Sequence, residues 1–267
     1  MLASTIYDLS FLFEGATGDP NALFSAFSIY RNSLRLFDTT PSKNSINSLH
    51  GLRALSILWI MFGHRVSNQL NFPIANPTAV MDFYNHVYSV MLSSYSIAVD
   101  TFLLMAALLL TISTLKAIEK KTLNIPRMIL HRYIRYTPVL SVTILCTITL
   151  PKYVINGPLE VEELRENCVN YWWSAILHIH NYVNPDQLCL NHTWYLAVDF
   201  QLFVITPFLI LAIKKCHRII WLLPSLIVMC SIYIFCISMF YEIHKMPRTT
   251  EEGELYHRLI YHPTHAR

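Results

Sequence analysis

The chain has 267 residues, of which 54% are hydrophobic and 14% charged, with a formal net charge of +3. Soluble domains carry about 25% charged residues, so the composition excludes an ordinary soluble globular fold. The expected class is all-α, a polytopic membrane helix bundle, with the lipid bilayer as its surroundings and no nucleic-acid partner.

In chain order, Met1–Tyr7 lacks the basic start and full apolar stretch of a secretory signal and can be the stub of an earlier span. Residues 1–48 as a whole read as a cytoplasmic lead-in, mixed in polarity and closing at Pro41-Ser42-Lys43-Asn44. A bilayer core of about 30 Å needs roughly 20 residues of helix. Residues 87–115 carry one charged side chain, Asp100; residues 187–213 carry His192 and Asp199; residues 219–241 carry none. Two further stretches qualify if the charges at their ends snorkel to the interface: 49–66, with Arg53, His64 and Arg65, and 136–155, with Lys152. Irregular backbone cannot face lipid, so five helical spans are expected, at about 49–66, 87–115, 136–155, 193–213 and 219–241. Residues 242–267 then form an exoplasmic segment, and the abrupt start and finish of the chain read as truncation before further spans.

Basic residues favour the cytoplasmic face. Lys116, Lys120, Lys121, Arg127, Arg132 and Arg135 place 116–135 inside, and Lys214, Lys215 and Arg218 do the same for 214–218. Residues 151–192, rich in Glu and poor in Lys and Arg, fall on the exoplasmic or luminal side of a plasma membrane or endomembrane. Cys168 and Cys189 share that loop, where oxidation is permitted; they are two free thiols or a disulfide, and compartment and pairing favour the disulfide. Asn191-His192-Thr193 is a glycosylation sequon that abuts the membrane. Tyr171–His178 reads as a short amphipathic helix at the interface, where Trp and Tyr gather.

Ionisable groups inside spans are expensive and mark function by default. Arg53 and His64 lie eleven steps apart, about 20° past three turns, so both leave one face of a helix about 16 Å apart along its axis. That face offers a guanidinium for an anion and an imidazole able to act as a base near neutral pH; each residue can equally mark a helix end. Asp100 and Asp199 are expected in a polar bundle interior, where either can fix His64, cap a helix or pair with Arg. Arg132 and Arg135, at i and i+3, can grip one phosphate group or serve as plain anchors. No metal site is expected.

Four strings in order resemble the acyltransferase-3 family of integral-membrane acyltransferases, in its nose-resistant-to-fluoxetine branch: Ser48–Trp59 followed by Gly63-His64-Arg65, Val99-Asp100-Thr101-Phe102, His131–Pro138, and His192–Gln201. The resemblance covers roughly residues 46–240 and implies a bundle of about ten spans, half of it in this chain. It implies transfer of an acyl group from a cytoplasmic acyl thioester such as acyl-CoA, the co-substrate, to a hydroxyl of a lipid, glycan or small molecule. His64 carries over as the general base, Arg53 as the donor-steadying cation, and Asp199 as the acidic residue of the fourth motif. No resident cofactor is implied. The second motif departs from the family, which continues with a Ser-Gly pair where this chain has Ala106-Ala107. The branch is also associated with lipid or xenobiotic uptake, so a non-catalytic lipid-binding or lipid-moving protein on the same scaffold is the competing expectation.

Overall fold

The computed structural model describes residues 2–13, 21–40, 46–70, 76, 78, 82–83, 86–154 and 161–240. The described residues are helical, without strands. The chain divides into two compact units, Met1–Ala54 and Leu55–Arg267. The calls on residues 155–160 and 242–267 lie outside the described residues.

In the first unit α1 (Leu2–Phe13) packs on α2 (Ala22–Ser25) and α3 (Ile29–Leu36). Its centre is polar. Asp8 is fully buried, ion-paired with Arg31 at 2.9 Å and accepting a hydrogen bond from Ser28 Oγ at 2.8 Å. Ser28 is also the N-cap of α3, so one hydroxyl ties the start of α3 to α1. The expected lead-in therefore has a folded core of its own.

α4 (Asn47–Leu70) contains the stretch 49–66 expected as the first span. The expected span 87–115 is two helices, α5 (Tyr88–Ser93) and α6 (Ser96–Glu119), separated by the turn Ser94-Tyr95. α7 (Ile125–Thr149) begins well before the expected residue 136. The cause is local: Asn124 Oδ1 accepts from Arg127 N at 3.1 Å and Pro126 sits in the first turn, the N-terminal signature of a helix. Much of the expected cytoplasmic loop is thus helix. α7 stops at Pro151, where the short α8 (Pro151–Val154) takes over.

α9 (Val161–Ile176) packs on α7 and bends at Tyr171, whose φ of −122° is not helical. The expected interfacial helix 171–178 is the end of α9 plus a turn at Leu177-His178. α10 (His180–Val183) and a 3₁₀ turn at Asn191–Thr193 lead into α11 (Trp194–Lys215). A second 3₁₀ turn, His217–Trp221, leads into α12 (Leu222–Phe240), which has no buried residue.

Among the described residues, three helical stretches are long and apolar enough to cross a membrane: Ser96–Glu119, Asn191–Lys215 and His217–Phe240. α4 and α7 have the length, at 24 and 25 residues, but carry more charge. Hydroxyls in these helices close onto the carbonyl one turn back, as Thr147 does with Thr143 at 3.0 Å and Thr206 with Leu202 at 2.7 Å. Such bonds satisfy these hydroxyls within their own helix, whereas Thr114 Oγ1 and Thr137 Oγ1 are buried without a partner.

α6 packs on α11 through Val99, Trp194 and Val198, with Ile60 of α4 and Leu188 at the edge. α7 packs on α9 through Leu140, Ile144, Ala175 and the half-cystines Cys168 and Cys189. Cys168 and Cys189 form a disulfide with Cα atoms 4.1 Å apart. The bridge sits inside that core cluster, so it fastens the loop before α11 onto the α7–α9 pair.

Candidate functional site

The polar groups of the second unit fall into four places around α6, α7 and α11. The first surrounds His64. Gly63 lies against Tyr95, and any Cβ at position 63 would meet the Tyr95 ring. This close approach sets the next residue, His64, with its ring centroid 5.0 Å from that of Tyr95. Trp59 Nε1 donates to Met91 O at 2.7 Å, and the hydroxyls of Ser56 and Thr101 lie 2.9 Å apart. These contacts fix α4 against the start of α6. His64 is exposed, and His192, at the start of α11, lies within its electrostatic reach. The exposed imidazole thus has a phenol and a second imidazole near it.

The second place is the middle of α11. Asp199 is buried and forms a hydrogen-bonded ion pair with Arg132 of α7. The Arg132 guanidinium also lies over the Phe203 ring, 4.2 Å from its centroid, and 5.2 Å from that of Tyr136. Burial and aromatic stacking suit Arg, whose planar cation is weakly hydrated. Ala106 and Ala107 line a cavity of about 30 Å³ against this pair, together with Leu202 and Thr206. That is room for about one water molecule.

The third place is a pocket of about 440 Å³ at the junction of α6 and α7, lined by Ser113, Arg127, His131, Arg132, Arg135 and Tyr136 among others. Three arginines in the first half of a helix oppose its dipole. Arg132 is compensated by Asp199. Arg127, in the first turn of α7, and Arg135, about three turns in, are both exposed and line the pocket.

A fourth polar cluster ties the loop to α11. Gln201 Nε2 donates to His178 O at 2.8 Å and to Asn181 Oδ1 at 2.9 Å. His178 stacks 4.7 Å from Phe200 and 5.9 Å from Tyr133, and its φ of 58° is unusual for a residue with a side chain. His180 is buried, with the backbone of Thr193 and Ser174 close to its ring. Burial, with the nearby His178 adding to it, pushes the His180 pKa down to about 4. Burial also lowers that of His178, against smaller opposing effects from Ile176 O and Asp199.

The expected site residues are therefore distributed. Asp199 engages Arg132, one of the two arginines expected to grip phosphate, so that arginine arrives already paired. Asp100 is exposed rather than interior, because Ala98 and Val99 take the face of α6 that packs inward. Arg53, half-buried, lies on the first part of α4. Sequence reasoning missed Tyr95 and His192 beside His64, Arg127 at the pocket, and the Gln201 network. The signals were present in part: His192 and Gln201 open and close the fourth motif.

Residues 46–250 match the acyltransferase-3 family, an acyltransferase domain. The chain belongs to that family. It is 28% identical to nose resistant to fluoxetine protein 6 of Caenorhabditis elegans, over 96% of this chain and 34% of that protein. It is 23% identical to the regulator of hypoxia-inducible factor 1 of the same organism, over 73% of this chain and 40% of that protein. The chain thus spans about a third to two fifths of the length of these relatives. No solved structure matches it.

Proposed function

We propose that the chain is part of a membrane acyltransferase that moves an acyl group from an acyl thioester such as acyl-CoA to a hydroxyl, with His64 as general base. One observation carries the reading. His64 lies at Tyr95, the start of α6, and the basic pocket includes Ser113, some 18 residues on. At 1.5 Å per residue that is about 27 Å. A substrate serving both ends must be long and anionic at one end, which describes the acyl thioester of a phosphorylated carrier. Arg135 and the pocket hold its phosphates, and Arg53 steadies the donor. The acceptor hydroxyl gives its proton to the His64 imidazole while its oxygen attacks the thioester carbonyl. The tetrahedral intermediate expels the thiolate, which takes a proton back. Asp199 acts at a distance by holding Arg132; Asp100 keeps the acidic place of the second motif.

The same reading adds α4 and α7, as the first and third of five spans, to a multi-pass arrangement that belongs to a bundle of about ten helices. Loops 116–124 and 214–218 are cytoplasmic and 151–192 exoplasmic or luminal.

A second reading has its own support. The cavity lined by Ala106, Ala107, Arg132 and Asp199 holds only about 30 Å³, too little for a thioester. A scaffold that binds or moves lipid, without transfer, accounts for that. Incubating membranes that contain the protein with a labelled acyl thioester decides between them. Labelled ester on a hydroxyl acceptor supports the enzyme; lipid movement with no ester from any donor supports the scaffold.

A further inference from the structure

α4 and α6 are pinned to each other at two heights. At one, the hydroxyls of Ser56 and Thr101 lie 2.9 Å apart; at the other, Gly63 meets the Tyr95 ring. Seven steps separate the two points on α4 and six on α6, in opposite senses, about 10 Å of helix in each case. The helices therefore run antiparallel here, and the matching lengths bring position 63 to face position 95. Gly63 is buried, and a Cβ there would meet Cβ, Cγ and Cδ1 of Tyr95. Those atoms are the root of the side chain, and no rotamer of Tyr95 moves its Cβ aside. The backbone of Tyr95 is held as well: its carbonyl accepts from Ala98 N at 3.0 Å, and Ala98 and Val99 are buried. On the other side of the Ser94-Tyr95 turn, the Trp59 bond to Met91 O ties α5 to the same helix.

We infer that Tyr95 is a positioning residue for His64. Its ring, seated where Gly63 leaves room, is the wall against which the His64 imidazole stands, with centroids 5.0 Å and planes 56° apart. Tilted ring pairs at such a separation attract. His64 is otherwise exposed, so its imidazole turns freely wherever the Tyr95 ring does not stop it. A general base must keep one nitrogen within hydrogen-bond reach of the acceptor hydroxyl, and the Tyr95 ring limits the directions it can take. The effect on rate rests on the proposed role of His64; the contact between the two rings does not.

The test compares Tyr95→Leu and Tyr95→Phe with the parent in membranes matched for protein amount. Tyr95→Leu should lower kcat for labelled acyl transfer about 10²-fold, the cost of misplacing a reacting group by about 1 Å. KM for the thioester should stay near the parent's, because the basic pocket is lined by the opposite end of α6. Tyr95→Phe, which puts a ring back, should recover most of the lost rate. A second readout needs no catalysis. With isotope-labelled histidine, the His64 ring signal, identified by its loss in His64→Ala, should carry a ring-current shift in the parent and in Tyr95→Phe that Tyr95→Leu removes. An equal fall in kcat in both Tyr95 variants, a rise in KM in place of the fall in kcat, or a His64 signal identical in Tyr95→Leu and the parent would overturn the proposal. A parent that shows the shifted signal and transfers no acyl group sinks only the enzyme reading. A parent whose transfer is lost in His64→Ala and kept in Tyr95→Leu sinks only this one.

Discussion

Arg132 and Asp199, 67 residues apart, form a buried ion pair that joins α7 to α11. Both come from motif strings that suggested chemistry, and the geometry makes them a brace between two helices. Taking one charge away strands the other in a buried place, at a cost of about 3–5 kcal/mol. Asp199→Ala and Arg132→Ala should each lower the thermal midpoint of the detergent-solubilised protein sharply. The double variant Arg132→Met with Asp199→Leu should recover much of the loss. Equal losses in single and double variants would mean that the pair is not the brace.

Closing the loop between Cys168 and Cys189 is worth about 3 kcal/mol by chain entropy. Peptide mapping of unreduced protein should find the two joined, and Cys168→Ser should free Cys189 for alkylation and lower the midpoint. Alkylation of both thiols in unreduced protein would contradict the bridge.

Much of this arrangement was legible in the sequence, and the boundary of what was legible is physical. The apolar stretches containing Asp100 and Asp199 are long enough to span, and the helices Ser96–Glu119 and Trp194–Lys215 follow them closely. Compartment and pairing also favoured the cysteine bridge. The start of α7 was missed because positive charge was weighed as loop, while Asn124 and Pro126, the capping signal, went unread. The break at Ser94-Tyr95 has no Gly or Pro to announce it. The partner of Asp199 was left open, because one-dimensional spacing cannot say which of two helices a buried carboxylate faces. The Asp8–Arg31 pair was hidden in a segment whose mixed polarity looked like a tether.

His180 supplies a pH dependence. Its folded pKa, about 4, lies below the ordinary 6.5, so the unfolded chain binds the proton first. The stability this group protects is fully present above pH 6.5 and declines as pH falls toward 4, by roughly 3 kcal/mol in all. Unfolding midpoints at pH 7.5 and pH 5 should differ, and His180→Phe should narrow the difference. A difference as large in His180→Phe as in the parent would rule this group out.

The charge pattern makes an orientation testable. With the four free cysteines replaced by Ser, single cysteines at Lys120 and Gln187, both exposed, should react with an impermeant thiol reagent from opposite sides of sealed membranes. Lys120→Cys is expected to label from the cytoplasmic face and Gln187→Cys from the other. Labelling of both from one face would overturn the arrangement of α7 and α9.

The central claim is that His64 moves the proton of the acceptor hydroxyl. His64 is exposed and packs mainly on Tyr95, so His64→Ala removes little buried volume and should leave the protein folded and as abundant in membranes as the parent. A positioned base contributes about 10²–10⁴ in rate. The decisive measurement is the rate of labelled acyl transfer from a thioester to a hydroxyl acceptor in membranes matched for protein amount. The account predicts a fall of that size for His64→Ala; a variant that keeps the parent's rate would contradict it.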